Sequence, residues 1–363
     1  MKKTIAVLPG DGVGPEVINQ AILVLKIVSK KFHHEFVFKR GLIGAAAIDK
    51  IGNPLPDETL QLCKSSDAVL FGAIGDPKYD NDPTLKIRPE QGLLKLRKSL
   101  GLYANIRPIQ VFEKLISKSP LKGDILNSHM SSGKVDFVVI RELVGGIYFG
   151  KRGRKKNGTV AYDTCTYSKG EIERVAKFAF ELAETRLHQG FGGQGKITVV
   201  DKANVLETSR LWRETVGEMA KKYPEITVDF MFVDNAAMQI IKKPSSFDVI
   251  LTENMFGDIL TDEASVITGS IGMLPSASIG QNSSLYEPIH GSYPKAAGTN
   301  TANPIGTILS AAMMLEYSFG LKKEAQAIEK AVEQAIDQGF GTKDICDNPL
   351  STSEMGDKIA SLL

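Results

Sequence analysis

The chain has 363 residues, of which 42% are apolar and 24% charged. This composition is typical of a soluble globular protein, and the length favours two domains over a single core. The 44 basic and 42 acidic residues nearly balance, which argues against a nucleic-acid or membrane partner recognised by bulk charge.

Cysteine usage and the absence of a long apolar run indicate the compartment. The three cysteines form no Cys-x-x-Cys pair, so we expect a reducing environment and no structural zinc. The apolar run near the N-terminus meets Pro9 too early for a secretion signal, and no run approaches the ~20 residues that a membrane span needs. We therefore expect a cytoplasmic protein.

Short apolar runs, which predict strands, alternate along the chain with longer stretches of helical period. The predicted strands cover residues 4–8, 35–38, 68–73, 137–140, 197–200, 228–233 and 249–251. The predicted helices cover residues 15–32, 91–100, 169–188, 207–223, 256–267, 304–319 and 324–338. This alternation predicts an α/β protein with a mostly parallel sheet.

One region interrupts the alternation. Residues 147–150, 159–162 and 164–167 are predicted to form paired β ribbons around the basic run 151–156, which could be a phosphate patch or a solvated hairpin tip. A ribbon without a covering helix invites pairing with another chain, so a dimer is plausible. The polar stretch 117–133 is interpreted as a surface loop without an assigned role.

A glycine-rich loop, Gly10-Asp11-Gly12-Val13-Gly14-Pro15-Glu16, follows the first predicted strand. Its third glycine comes one residue too early for the dinucleotide motif of Rossmann folds, and a proline stands at the first helical position. The loop therefore argues against a Rossmann fold. Glycines still allow close approach of a ligand to the backbone, so we expect this loop to face one.

Asp258 and Asp262 lie four residues apart on a predicted helix. The apolar residues Met255, Ile259 and Leu260 have helical spacing, which places both carboxylates on one helix face. Such a pair can hold a hard divalent cation and leave coordination positions for substrate. A solvated acidic face is the alternative that the spacing alone leaves open.

Three arginines follow or occupy elements that could border a cleft. Arg97 lies on a predicted helix, Arg107 follows Tyr-Ala-Asn, and Arg141 ends a predicted strand. Arginine binds carboxylates through a bidentate fork, although structural ion pairs explain each one equally well. Convergence of all three would suggest a substrate with two carboxylates.

Three further residues could carry protons or bind the substrate. Tyr148 follows Arg141 by seven residues, Lys202 follows a predicted strand, and Asp234 is predicted to end another. A lysine at the end of a buried strand can acquire a pKa suited to acid–base work, although most such lysines are surface residues.

Eight motif-bearing stretches, taken together, resemble the isocitrate/isopropylmalate family of metal-dependent β-decarboxylating dehydrogenases. Each alone is a weak signal, but they occur in order along nearly the whole chain. The matching stretches are residues 10–16, 93–97, 105–108, 141–148, 201–204, 254–262, 287–292 and 302–315.

The resemblance implies a two-domain α/β fold of this family rather than a Rossmann fold. It implies a large cofactor-binding domain from residues 1–102 and 269–363. Residues 103–268 would form a small domain with the dimer interface and a β arm. The implied assembly is a homodimer with shared active sites.

The resemblance also implies roles for the residues singled out above. Asp258 and Asp262 of one subunit, with Asp234 of the other, would hold Mg²⁺ or Mn²⁺, and Asp234 would also contact the substrate. Lys202 would accept the hydroxyl proton and Tyr148 would donate a proton after decarboxylation. The substrate carboxylates would be bound by Arg97, Arg107 and Arg141.

The implied cofactor is NAD. Residues matching the family's cofactor site are Val13, Glu90, Asn204, Glu287, His290, Gly291, Ala302 and Asn303. One position departs from the NAD-dependent pattern, because Lys295 replaces an aspartate that accepts from the adenosine ribose. A lysine would attract a 2′-phosphate, so NADP remains open. Ala296, however, replaces the tyrosine of the NADP-dependent members.

Leu93 bears on the substrate. The isocitrate enzymes carry a serine at this position, so by resemblance the apolar residue implies 3-isopropylmalate as substrate and a role in leucine biosynthesis. An apolar side chain can bury the isopropyl group of that substrate, which is favourable by ~0.8 kcal/mol per methylene. Isocitrate, homoisocitrate and malate-type acids are alternatives within the family. A non-catalytic nucleotide-binding protein is the alternative outside it.

Overall fold

A computed structural model describes residues 1–80, 84–121, 135–188 and 193–363. The chain divides into two compact units. The terminal unit contains Met1–Leu102, Phe112–Lys118 and Gly269–Leu363, and the central unit contains Tyr103–Val111 and Ser119–Thr268. Most of the predicted loop 117–133 lies outside the described residues, and Lys118 ends a 3₁₀ turn that begins at Glu113.

The bounds of the elements are as follows. The strands are β1 (Lys2–Gly10), β2 (Glu35–Arg40), β3 (Ala68–Ala73), β4 (Leu102–Gln110), β5 (Asp136–Glu142), β6 (Arg152–Lys155), β7 (Val160–Asp163), β8 (Lys196–Asp201), β9 (Thr227–Phe232), β10 (Val249–Thr252), β11 (Pro275–Gly280) and β12 (Leu285–Pro288). The α-helices are α1 (Gly14–Lys31), α2 (Ala45–Ile51), α3 (Asp57–Ser65), α4 (Pro77–Asp80), α5 (Pro89–Leu100), α6 (Lys169–His188), α7 (Glu207–Ala220), α8 (Val233–Lys242), α9 (Asn254–Ile267), α10 (Ile305–Tyr317), α11 (Lys322–Asp337) and α12 (Thr352–Ser361).

The strands of the terminal unit lie in the order β2-β1-β3-β12-β11. All neighbours are parallel except the β11–β12 pair, which is antiparallel. The middle of β1 and all of β3 are buried, as expected for parallel strands covered on both faces. Helix α1 packs against β3, and α10 packs against β11 and β12.

The strands of the central unit lie in the order β4-β5-β10-β8-β9. Strand β4 is antiparallel to β5, and the other neighbours are parallel. The carboxyl ends of β5, β10 and β8 therefore meet at one edge of this sheet, where open α/β folds bind ligands. Helix α9 starts directly after β10 and packs against β5.

The prediction of an α/β fold with a mostly parallel sheet is confirmed. The predicted strands at 147–150 and 164–167 are wrong, because Gly146–Tyr148 forms a 3₁₀ turn and residues 164–167 join no strand. The hairpin instead pairs β6, inside the basic run, with β7. The Lys155 ammonium lies 5.0 Å from the centre of the Tyr162 ring, a cation–π contact that favours this register.

No helix in the described part of the chain is long and apolar enough to cross a membrane.

Candidate active site

Helix α9 presents the acidic pair of the central unit. Glu253 caps its start by accepting a hydrogen bond from the Phe256 N–H at 3.0 Å. Asp258 and Asp262 are one helical turn apart, which puts both carboxylates on one face. Asp258 is half-buried and Asp262 is exposed.

Asp258 forms an ion pair with Arg141 and accepts a hydrogen bond from the Tyr148 hydroxyl at 2.8 Å. Burial raises the pKa of Asp258, but the Arg141 guanidinium and the Tyr148 hydrogen bond outweigh it, so the net pKa lies below the ordinary value. Partial burial and the same hydrogen bond raise the pKa of Tyr148 to about 12. Tyr148 is therefore protonated at neutral pH and can donate a proton.

Arg107 lies beside the second carboxylate of the pair. Its guanidinium is 3.6 Å from Asp262 and donates to the Thr261 hydroxyl at 2.5 Å and to the Asn105 side chain at 2.8 Å. The guanidinium is buried, whereas Asp262 is exposed. Arg107 and Arg141, the two arginines of this unit that are predicted to bind substrate carboxylates, thus flank the acidic pair.

Asn254 fixes the position of Arg141. Its side-chain oxygen accepts hydrogen bonds from Nε of Arg141 at 3.1 Å and from Nη2 of the same guanidinium at 2.8 Å. Its amide nitrogen donates to the carbonyl of Gly145 at 3.1 Å. The sequence alone predicts no role for Asn254, although its place between β10 and Asp258 puts it beside the acidic pair.

A buried carboxylate, Glu142, shapes the segment that carries Tyr148. It accepts hydrogen bonds from the N–H groups of Val144 at 3.0 Å and Gly145 at 2.7 Å. Burial raises the pKa of Glu142 to about 7 in spite of these bonds. In the sequence, only its position directly after Arg141 indicates that Glu142 belongs to the site.

Lys202 and Asp234 form a second charged cluster in the central unit. The Lys202 ammonium is paired with Asp234, and the pair lowers the pKa of Asp234. The turn that carries Lys202 is held by Asp201, which binds Arg213 at 2.6 Å. Asn204 is exposed in the same turn.

Asp234 does not end a strand as predicted. It lies in the first turn of α8, because the chain turns helical at Val233. In the ranges that the structure describes, no three His, Cys, Asp or Glu side chains form a group that could hold a metal. In the described part of the chain, no third side chain of these types joins the acidic pair Asp258 and Asp262.

In the terminal unit, the glycine loop lies against the segment that follows β12. The Val13 N–H donates to the Ser292 carbonyl at 2.8 Å. Gly12 has φ +57°, and a Cβ there would lie 1.9 Å from the same carbonyl oxygen. Only glycine fits this contact.

Asp11 ties the glycine loop to the start of α2 and to the loop that follows β3. Its buried carboxylate accepts hydrogen bonds at 2.9 Å from the N–H groups of Ala45, Ala46 and Gly75. Burial raises the pKa of Asp11, although the three N–H groups oppose this shift. A Cβ on Gly75 would lie 3.1 Å from the Glu90 carboxylate, so Glu90 borders the same junction.

Helix α5 carries Leu93 and Arg97 one turn apart, on one face. Leu93 is 8% exposed. Arg97 pairs with Glu287 at 2.9 Å, and both side chains are largely buried. The structure thus joins a predicted substrate residue to a predicted cofactor residue.

The segment with the predicted cofactor residues His290 and Gly291 contains an enclosed imidazole. No described group bonds to Nε2 of His290, while Nδ1 contacts the Gly291 carbonyl at 2.9 Å. Burial lowers the pKa of His290, so the ring is neutral at pH 7. A Cβ on Gly291 would meet nothing within 4 Å, which leaves space for a ligand.

The other predicted cofactor residues are engaged within the protein. The side chains of Val13 and Ala302 are buried in a small apolar cluster, so only their backbone could contact a cofactor. Asn303 donates to Asp344 at 2.9 Å and accepts from the Ile305 N–H at 3.0 Å. The sequence predicts no role for Asp344, whose carboxylate fixes the orientation of the Asn303 amide through this hydrogen bond.

The fold and the charged clusters are those of an α/β enzyme with a paired-carboxylate centre. A family model described as isocitrate/isopropylmalate dehydrogenase matches residues 4–359. The chain therefore belongs to the isocitrate/isopropylmalate dehydrogenase family. Members of this family in general depend on NAD and require a metal.

Individual relatives agree with this assignment. The chain is 56% identical over 362 residues to a 3-isopropylmalate dehydrogenase of Geobacillus kaustophilus, covering 98% of this chain and 94% of the relative. It is 54% identical over 365 residues to one of Helicobacter hepaticus, covering 99% of each. Among solved structures, an isocitrate dehydrogenase from Methylococcus capsulatus matches with a TM-score of 0.87 and 32% identity over 99% of both chains.

Proposed function

We propose that the protein oxidises and decarboxylates (2R,3S)-3-isopropylmalate to 4-methyl-2-oxopentanoate, a step in leucine biosynthesis, with NAD as hydride acceptor. The observation that carries the chemistry is the placement of Asp258 between Arg141 and Tyr148. The substrate is proposed from the relatives that are more than half identical and from the apolar Leu93.

The donor set at the acidic pair fits a hard cation. Asp258 and Asp262 provide carboxylate oxygens, which Mg²⁺ and Mn²⁺ prefer. Bound there, Mg²⁺ or Mn²⁺ would supply Lewis acidity at the substrate's hydroxyl and later carbonyl oxygen. The third carboxylate of the proposed set is Asp234 of a second copy.

The proposed roles of the protein groups follow from their charges. The buried guanidinium groups of Arg107 and Arg141 bind substrate carboxylates through paired N–H donors. Arg97 is proposed as a further arginine that binds a substrate carboxylate. Lys202 is proposed to accept the hydroxyl proton during hydride transfer, after its ammonium has passed one proton to its ion-pair partner Asp234.

Tyr148 is proposed to donate a proton to the carbon that has lost carbon dioxide. Its raised pKa keeps the hydroxyl protonated at neutral pH. Asp258 accepts from that hydroxyl and so fixes its direction. The same Asp258 thereby orients the proposed proton donor and contributes to the cation site.

NAD is proposed to bind the terminal unit. Nε2 of His290, to which no described group bonds, and the open space at Gly291 fit adenosine. Glu90 and Asn204 are assigned to the nicotinamide side. Lys295 is exposed and would attract a 2′-phosphate. Initial rates with NAD and NADP at matched concentrations test this choice, and faster turnover of NADP overturns it.

The enzyme is proposed to act as a homodimer, because apolar side chains are exposed on two adjacent helices of the central unit. These are Met238 and Ile241 on α8 and Ile259 and Val266 on α9, of which Met238, Ile259 and Val266 are more than half exposed. A second copy covering this face would bring its own Asp234 and Lys202, which lie on or beside α8. Sedimentation at several protein concentrations tests the dimer.

A cytoplasmic location is proposed because Cys63, Cys165 and Cys346 are all free thiols, as expected in a reducing compartment.

The decisive experiment follows NADH formation with 3-isopropylmalate and Mg²⁺, with and without a chelator. Isocitrate, homoisocitrate and malate-type acids serve as the comparison panel. Chelator-sensitive turnover that is fastest with 3-isopropylmalate supports the proposal. A preference for another acid overturns the substrate, and absence of turnover with every acid overturns the enzymatic function.

A further inference from the structure

Tyr167 lies behind the candidate site, between the turn that carries Tyr148 and the start of α9. Its hydroxyl donates to the Glu253 carboxylate at 3.0 Å and accepts from the Asn254 N–H at 3.0 Å. Glu253 and Asn254 are the residues that start α9, the helix that carries Asp258. The Tyr167 hydroxyl therefore ties down the end of the helix that presents Asp258.

The same ring packs against the two glycines of the Tyr148 turn. Gly146 has φ +74°, and a Cβ there would lie 2.2 Å from the Tyr167 hydroxyl oxygen. A Cβ on Gly145 would lie 2.8 Å from a ring carbon of Tyr167. The backbone of the turn is thus in direct contact with this ring.

Further hydrogen bonds hold the turn that carries Tyr148 against the start of α9 and against the segment before Tyr167. Glu142 accepts from Val144 and Gly145, and Asn254 donates to the Gly145 carbonyl at 3.1 Å. The Gly146 N–H donates to the Thr166 carbonyl at 3.1 Å, one residue before Tyr167. Tyr167 thus touches both the turn that carries Tyr148 and the start of α9.

We propose that Tyr167 is a positioning residue for the reaction, which sets the placement of the Tyr148 hydroxyl relative to Asp258. This inference rests on the proposed role of Tyr148 as proton donor. Tyr167 does not contact substrate; it acts through the turn and the helix that carry the two residues. A displacement of about 1 Å at a reacting group can cost about a hundredfold in rate.

The test substitutes Tyr167→Phe, which removes the hydroxyl and keeps the ring. The ring lies edge-on to Trp212, the single tryptophan of the chain, at 5.6 Å between centroids. Unchanged Trp212 fluorescence therefore reports that the ring has stayed in place. Tyr286→Phe is the matched control, because Tyr286 is a fully buried tyrosine of the terminal unit whose hydroxyl bonds Ser318 at 2.7 Å.

The readout is a double-mutant cycle with Tyr148→Phe, measured as kcat on the substrate that the wild-type enzyme turns over best. We expect Tyr167→Phe to lower kcat at least about tenfold in the wild-type background, with less than a twofold change in KM for NAD. In the Tyr148→Phe background the same substitution should change kcat less than about twofold. Tyr286→Phe should leave kcat unchanged.

The outcomes separate this inference from the proposed function. Equal losses in both backgrounds, or no loss in either, overturn the positioning role while the function stands. Turnover by Tyr148→Phe at the wild-type rate overturns the role of Tyr148 as proton donor and this inference with it. A loss confined to the wild-type background supports the inference.

Discussion

The Tyr148 hydroxyl donates to the Asp258 carboxylate at 2.8 Å, so the proposed proton donor and a proposed metal ligand share one hydrogen bond. Arg141 occupies the other oxygen of the same carboxylate. Replacing Asp258 therefore removes a proposed cation ligand, the ion pair of Arg141 and the hydrogen bond of Tyr148 together.

We expect Asp258→Asn to lower kcat/KM at least about a hundredfold, because the amide carries no charge to hold a divalent cation or to pair with Arg141. Mg²⁺ binding measured by calorimetry should weaken in parallel. Glu263→Gln on the same helix is the control and should leave both unchanged. If the Asp258→Asn enzyme were active and insensitive to chelator, the acidic pair would be a solvated helix face and not a cation site.

Leu93→Ser should cut turnover of 3-isopropylmalate about 10- to 200-fold, since one poorly matched group in an apolar pocket costs about 1–3 kcal/mol. Leu93 is 8% exposed, so a hydroxyl there would face apolar substrate without water. Kinetics with 3-isopropylmalate and isocitrate measure the effect. Leu94→Ser, at the adjacent half-buried position, should change kcat/KM less, and equal losses would show that Leu93 does not line the substrate pocket.

Asp11→Asn should raise the KM for NAD about tenfold or more. The carboxylate accepts three backbone N–H groups, and an amide would turn its own N–H groups toward one of these donors. The KM for the acid substrate should change less. Asp76→Asn is the control, since the Asp76 carboxylate accepts a hydrogen bond from the neighbouring Lys78 N–H and, in the described part of the chain, ties no distant loop. A comparable NAD effect there would contradict the role of Asp11.

Lys295→Asp should increase kcat/KM for NAD and decrease it for NADP, each by about tenfold, because a carboxylate accepts from ribose hydroxyls and repels a 2′-phosphate. Steady-state rates with both cofactors measure the ratio. Lys330→Asp, an exposed lysine on α11, controls for net charge. If the ratio does not move, Lys295 lies away from the bound ribose.

Glu142 should make stability fall as pH rises. Its folded pKa is raised to about 7 by burial, with Glu171 adding to the shift and Arg174 opposing it, while the ordinary value is 4.5. Between these values the unfolded chain binds fewer protons than the folded one, so this group lowers the free energy of unfolding by roughly 2–3 kcal/mol as pH rises from about 4.5 through about 7.

Urea unfolding at several pH values across this window measures the effect. Glu142→Gln should flatten the pH dependence, whatever constant offset the amide introduces. The exposed Glu214→Gln should keep the wild-type slope. An unchanged slope in Glu142→Gln would show that Glu142 ionises alike in both states.

The sequence predicted those features that depend on local pattern. Helical spacing gave the shared face of Asp258 and Asp262, and strand–helix alternation gave the α/β class. The segment 147–150 was misassigned because the β propensity of Ile-Tyr-Phe outweighed the left-handed backbone at Gly146. Strands β11 and β12 were missed because they are short and contain Ser, Pro and Gly rather than alternating apolar residues.

The supporting residues of the site could not be predicted, because their contacts join distant parts of the chain. Tyr167 meets Asn254 across 87 residues, and Asn254 meets Arg141 across 113. No local period encodes such pairings, which arise only when β5 and β10 lie side by side.

The division of the chain between the two units has a consequence for synthesis on the ribosome. The central unit comes almost entirely from one continuous stretch, so it can fold as soon as that stretch has emerged. The terminal unit cannot, because β3 pairs with β12 through Val69 and Leu285, and α1 packs against α12. The first hundred or so residues can pair β1 with β2 and β3, but the edge of β3 that pairs with β12 must wait until the last ninety or so residues arrive. During that interval the nascent N-terminal segment is the part of the chain most exposed to aggregation and to capture by chaperones.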